Sequence, residues 1–172
     1  MKGVVIISKF SQLNQDINKV LDKLVSNQDL CKYLHYKTDN PISEADIEDA
    51  TSLLYTKIFP FPTTTEIFKD SDGNPVADIA INVLFDDFKL GTKNNKFIGG
   101  RLTFIVLCHM SLQRLSATSE LRPVCILDQI DQMFSDQRLL GIGKDEFDGC
   151  RIAWADSDYS GYKFSIKSYE FA

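Results

Sequence analysis

Along the first third of the chain the apolar positions fall at helical spacing. Leu13, Ile17, Val20, Leu21 and Leu24 share one side of a helical wheel, and Asn14, Asp16, Lys19, Asp22 and Lys23 take the other. That pattern predicts an amphipathic helix. It restarts in SNQDLCKYLHY, where Ser26 or Asn27 is placed to cap a second, shorter helix whose apolar side is Leu30, Tyr33 and Leu34. In TDNPISEADIEDATSLLYTKIFPFP, Ser43 with Asp46 three residues on reads as a further helix start. Ile47, Leu53 and Leu54 would be its apolar positions, and Pro60 and Pro62 its end. Glu44, Asp46, Glu48 and Asp49 then form a solvated first turn favoured by the helix dipole.

From Thr63 the period changes from helical to alternating. TTTEIF, DSDGNP and VADIAINVLF read as strand, turn and strand, with Ile79, Ile81, Val83 and Phe85 on one face and Asp78, Ala80, Asn82 and Leu84 on the other. The Asp72-Gly73 step is a hairpin signal. DDFKLGTKNNKFIGG, residues 86–100, reads as a long loop. LTFIVLCHM is apolar on both faces and predicts a central strand covered on each side. A helix follows, with Pro123 in its first turn and Val124, Leu127, Ile130 and Phe134 at helical spacing, ending before Gly141 and Gly143. Arg151–Ala155 and Tyr162–Tyr169 alternate as the arms of a closing hairpin whose turn holds Asp158, Ser160 and Gly161.

These elements define an α+β fold: a mostly antiparallel β-sheet packed by N-terminal helices, with one helix inserted before the C-terminal β-hairpin. At 172 residues, 44% of them hydrophobic, the chain is expected to form a single domain with a helical part over 11–59 and a sheet-plus-helix part over 63–172. A net charge of -5 gives no global attraction to nucleic acid or anionic membrane. The apolar run Val4–Ile7 is too short for a secretory core or a membrane span, which points to a cytoplasmic origin and no membrane partner. Cys31, Cys108, Cys125 and Cys150 show no C-x-x-C spacing and are expected to be reduced, mostly buried thiols.

Two Asp-rich turns invite a calcium reading, and both fail it. Counting from Asp70, the sixth and twelfth positions are Pro75 and Ile81; counting from Asp156, the twelfth is Lys167, where a bidentate Glu belongs. GIG before Lys144 lacks a phosphate loop, and H-E-x-x-H and G-x-S-x-G are absent. No cofactor, metal or catalytic residue is therefore assigned, and His109 and His35 read as structural histidines. The alternative of a small cytoplasmic enzyme would take Cys108, His109 and Asp86 as its trial site. Lys89, Lys93, Lys96 and Arg101 make the 86–100 segment locally basic, suiting it to contact a neighbouring subunit or the phosphates of DNA in a lumen.

The helix QLNQDINKVLDKL, a hairpin through VADIAINVLF, the strand RLTFIVLCHM, the helix RPVCILDQIDQMF and the finish GYKFSIKSYEF together resemble the tail-terminator and neck proteins of tailed bacteriophages. The resemblance spans most of the chain and lies in the order of elements and apolar positions. It implies a virion protein, assembled in the host cytoplasm, that forms a ring of six subunits. The ring would cap the tail tube and join it to the head connector or stopper protein through protein–protein contacts. DINKVLDKLVSNQDLCKYLHY and IFPFP exceed what a minimal member needs, which leaves a head-completion or connector ring of the neck as the alternative.

Overall fold

The computed structural model describes residues 9–63, 72, 78–90, 97–135, 137 and 145–169. Helix α1 spans Lys9–Ser26 and α2 spans Gln28–His35. Asn27 separates them, its side-chain oxygen accepting the Leu30 N–H at 2.9 Å, as an N-cap should. Val20, Leu21 and Leu24 are buried on α1. Asp16, expected on the polar face, is only 2% exposed and pairs with Lys19 at 2.7 Å. Positions four apart on a helix share a face, so Asp16 stands in line with Val20 and Leu24 at the border of the buried stripe.

The helix expected after Ser43 does not form. The segment contains two short 3-10 turns, Pro41–Ser43 and Ala50–Leu53. Side chains take the place of the helical ladder there. Gln28 donates to the Ile47 carbonyl at 3.1 Å and accepts the Ile47 N–H at 2.9 Å, and Asp49 accepts the Thr51 N–H at 3.1 Å. Asp46 pairs with Lys32 of α2 at 2.8 Å.

Strand β1, Ile58–Phe59, runs parallel to β2, Ile79–Leu90, a pairing the sequence did not suggest. Strand β3, Phe97–His109, lies antiparallel to β2 and reaches a 3-10 turn at Met110–Leu112. A short ribbon of β4, Arg114–Leu115, and β5, Glu120–Leu121, leads into α3, Arg122–Phe134, with Pro123 in its first turn as expected. Strands β6, Glu146–Trp154, and β7, Tyr159–Tyr169, form the closing hairpin. The main sheet has five strands in the order β1-β2-β3-β7-β6. β3 is thus the central strand that its two apolar faces predicted.

The expected loop at 86–100 is shorter than read. Pairing continues through Lys89↔Gly99 and Leu90↔Phe97, past irregular register beyond Asp86. Asp87, at φ 53, takes the left-handed conformation there that a polar residue tolerates better than a branched one. β6 likewise begins at Glu146, five residues before Arg151. Most of the strand and turn expected over 63–75 lies outside the described residues, as do Lys93 and Lys96. In the β6–β7 turn, Asp156 accepts the N–H groups of Asp158 and Tyr159 at 2.8 and 2.9 Å, so the calcium-like spacing is a carboxylate-capped turn.

One face of the sheet carries Ile79, Ile81, Val83, Leu102, Phe104, Val106, Phe164 and Ile166, packed in one cluster with apolar residues of α1, α2 and α3. Phe104 lies 5.1 Å from Phe134 of α3 and 6.3 Å from Phe164, centroid to centroid. The other face holds the smaller cluster of Phe59, Ala80, Leu107 and Tyr159.

Arg122 fastens these layers. Its side chain is 1% exposed. Nε donates to the Leu112 carbonyl at 3.1 Å, Nη1 to those of Tyr33 and Tyr36 at 3.2 and 2.8 Å, and Nη2 to that of Thr38 at 2.6 Å. Tyr33 belongs to the last turn of α2, whose carbonyls lack helical partners and carry the negative end of the helix dipole. Burial pulls the guanidinium below its ordinary pKa, with Cys108 and Asp39 opposing. Arg122→Met should lower stability by about 3–5 kcal/mol, because it removes four charge-assisted hydrogen bonds and orphans the buried Tyr33 carbonyl. Urea unfolding of the variant, with an unchanged slope, checks this.

Candidate interaction surface

Helix α3 covers the middle of the sheet and leaves its last strand bare. Phe147, Cys150, Ile152 and Trp154 of β6 stand opposite Ile166, Phe164, Tyr162 and Ser160 of β7. Directly paired residues share a face. The four therefore continue the helix-side face, and the Phe147 ring sits 5.6 Å from that of Phe164. Yet Phe147 is 59%, Ile152 63% and Trp154 71% exposed. β6 is also an end strand, so among the described residues one row of its backbone groups has no ladder partner. Contiguous exposed apolar side chains on an open edge mark a surface built to pair with something else.

Two further exposed aromatic side chains lie at the other end of the sheet. Tyr55 and Phe61 flank β1 and are 61% and 42% exposed. Tyr55 has φ 61, a conformation unfavourable for a bulky side chain, and is held there by its N–H donating to the Ile58 carbonyl at 2.8 Å. Phe61 packs edge-on against Phe59 at 5.9 Å. Four strand spacings separate the two edges, about 19 Å.

The basic segment is less basic than its sequence. Arg101 Nε donates to Asp148 at 2.7 Å, and its Nη atoms lie 3.9 Å from Asp86 and 3.6 Å from Asp87. The Asp148 bond, followed by the attraction of all three carboxylates, raises its pKa. The backbone of Lys89 lies in β2 opposite Gly99. Of the four residues suggested for subunit or DNA contact, the structure therefore shows one engaged by acids within its own sheet.

Cys108, His109 and Asp86 are not brought together. Cys108 is buried in the helix-side core, and its thiol is pushed up to about 12 by burial. His109, next along the strand, points to the other face. Its ring nitrogen accepts the Ser111 N–H at 3.3 Å and so caps the turn after β3, while its ring meets Tyr159 at 5.2 Å. Asp86 pairs with Arg101, roughly 25 Å away along the strand at 3.3 Å per residue. A cavity of about 450 Å³ beside α2 and α3 is lined by Tyr33, Glu120, Cys125 and Asp128, but burial raises the pKa of both Cys125 and Tyr33. A thiol held protonated is not primed as a nucleophile. Among the described residues no three His, Cys, Asp or Glu side chains are grouped to hold a metal, and no helix is long and apolar enough to cross a membrane.

The fold and this surface define an α+β protein with a helix-backed sheet and two apolar edges. The chain belongs to the YomW family, which it matches over residues 27–168. No curated protein and no solved structure matches it.

The thiols provide a check on the site geometry. At pH 8 a thiol reagent should label exposed Cys150 first. Cys31, pushed up to about 11 by burial, and Cys108 should react of order 100-fold more slowly until the protein unfolds. The same two shifts set a pH dependence. The unfolded thiols ionise near pH 9 and the native ones do not, so stability should fall as pH rises from about 9 to 11. Mass spectrometry of alkylated peptides and urea melts across that range measure both.

Proposed function

We propose that the protein is a structural subunit of a tailed-bacteriophage virion, a tail-terminator or neck ring protein. It caps the tail tube and joins it to the head connector by protein–protein contacts. The observation that carries this reading is the exposed apolar side chains at both edges of one sheet. A ring of identical subunits is built from heterologous contacts, in which one surface of each subunit meets a different surface of the next. Phe147, Ile152 and Trp154 supply one such surface and Tyr55 and Phe61 the other. A monomeric adaptor needs a single patch. The likeness to terminator and neck proteins in element order supports the choice of assembly, and six subunits is the expected ring.

In this reading the β6 edge of one subunit docks against the β1 edge of its neighbour, with Trp154 as the anchor. Large aromatic side chains contribute most to such contacts. The ring's upper and lower faces then remain for the tail tube protein and the connector.

Light scattering across a concentration range, with negative-stain images, tests the proposal, both alone and with the tail tube protein present. Trp154→Glu and Tyr55→Glu should each weaken self-association at least ~30-fold, the equivalent of about 2 kcal/mol. Mixed together they should form one-to-one dimers and no ring, because each keeps the surface the other lacks. A wild-type chain that stays monomeric under both conditions, or variants that assemble as it does, would overturn the reading.

A further inference from the structure

On the face of the sheet away from the helices, β6 and β7 place two cations directly opposite each other. Arg151 pairs in register with Lys163. Like charges in that position repel. Arg101 of β3 reaches the same region, but Asp148 holds it at 2.7 Å. Among the described residues, the side chains of Arg151 and Lys163 make no hydrogen bond or ion pair. They line a cavity of about 200 Å³ together with Arg101, Asp148, Gly149 and Ser165.

The cavity also holds a hydroxyl donor. Ser165 is buried, and its Oγ lies 3.1 Å from the Oγ of Thr103, which is fully buried. Either hydroxyl can donate in that bond; with Thr103 as the donor, Ser165 keeps its proton for the cavity. Gly149, at φ 159, leaves open space within 4 Å of where a Cβ would stand. Two uncompensated cations, a hydroxyl proton and room for a group of several atoms are the donor set of an oxyanion site.

We propose that Arg151 and Lys163 bind a phosphate group in this cavity. A phosphate carrying a charge near -2 at neutral pH balances the pair, turning a repulsion into two charge-assisted contacts. Arg101 acts as a positioning residue: it holds Asp148 by Nε and keeps that carboxylate from neutralising Arg151. The group can be a free phosphate compound, one of which balances both cations, or the backbone of a nucleic acid, of which two singly charged phosphodiesters would; both present non-bridging phosphoryl oxygens. The site shares strand β6 with the proposed assembly edge but lies on the opposite face from Phe147, Ile152 and Trp154, so phosphate binding is read on the chain whatever its assembly state.

The probe is inorganic phosphate, added to the full chain at pH 7.5 against potassium chloride of equal ionic strength. At ten times the dissociation constant phosphate should raise Tm by roughly 3–6 °C. Arg151→Gln and Lys163→Gln should melt no lower than the wild type in chloride, because each relieves the repulsion, and should lose the phosphate increment. Lys163→Arg, which keeps the charge, should retain it. A short DNA duplex at the same phosphate concentration separates the sources. An increment that the two Gln variants abolish assigns the backbone, and an increment from free phosphate alone assigns a small phosphorylated molecule. A wild-type shift no larger than chloride gives, or a shift that persists in the Arg151→Gln/Lys163→Gln double variant, would overturn the proposal.

Discussion

The buried guanidinium of Arg122 is the constraint on which the arrangement of the other elements depends. It binds carbonyls from the end of α2, the segment that follows it and the turn after β3, all from the first residue of α3. A charge taken out of water must be surrounded by dipoles, so these segments cannot drift apart without stranding it. The main chain adds to the fastening, because the Arg122 N–H donates to the Gln113 carbonyl at 2.8 Å. With its N-terminus fixed in this way, α3 lies across β3 and β7, where Phe134 meets Phe104.

That placement accounts for the exposed edge. A single helix spans about two or three strands at roughly 10 Å of width. Centred on β3 and β7, α3 leaves β6 uncovered, and the apolar side chains that would otherwise complete the core face outward. The same sheet has a second edge at β1, where the strained Tyr55 backbone is held by Ile58 and the ring is left exposed. Stability and the proposed assembly surface thus have a common origin in how far the helical layer extends. The opposite face is governed by charge: acids crowd Arg101 at one end while Arg151 and Lys163 stand unneutralised beside it.

Much of the fold was legible because periodicity reports which side chains avoid water. The α1 stripe, the Asn27 cap, the alternation of Ile79, Ile81, Val83 and Phe85, the central place of β3 and the Pro123 start of α3 all follow from local pattern and capping chemistry. The misreadings occurred where long-range partners override local preference. Ile47 was counted on a helix but is bonded by Gln28 from α2. Asp16 looked solvated and is buried. Asp86 to Leu90 read as a loop, because pairing across an irregular register leaves no alternation to see. Nothing local marks Arg122 as buried, since an arginine before a helix proline ordinarily faces water.

Local pattern fixes the class of fold and the apolar faces of α1, α2, β2, β3 and α3, because these follow from side-chain period and turn residues within a few positions. It also argues against calcium at Asp156, since Lys167 stands where a calcium loop needs an acid, whereas the capping role of Asp156 and the place of Ser160 and Gly161 inside β7 came from the structure. Only the tertiary structure decided which apolar faces are covered. Cys150, Ile152 and Trp154 alternate as a buried strand does, and whether they become core or surface depends on how far a helix anchored many residues away reaches across the sheet. It likewise decided that Arg101 is neutralised and that Arg151 faces Lys163. Charge balance depends on distances across strands, and strand register is not written in any local stretch of the chain.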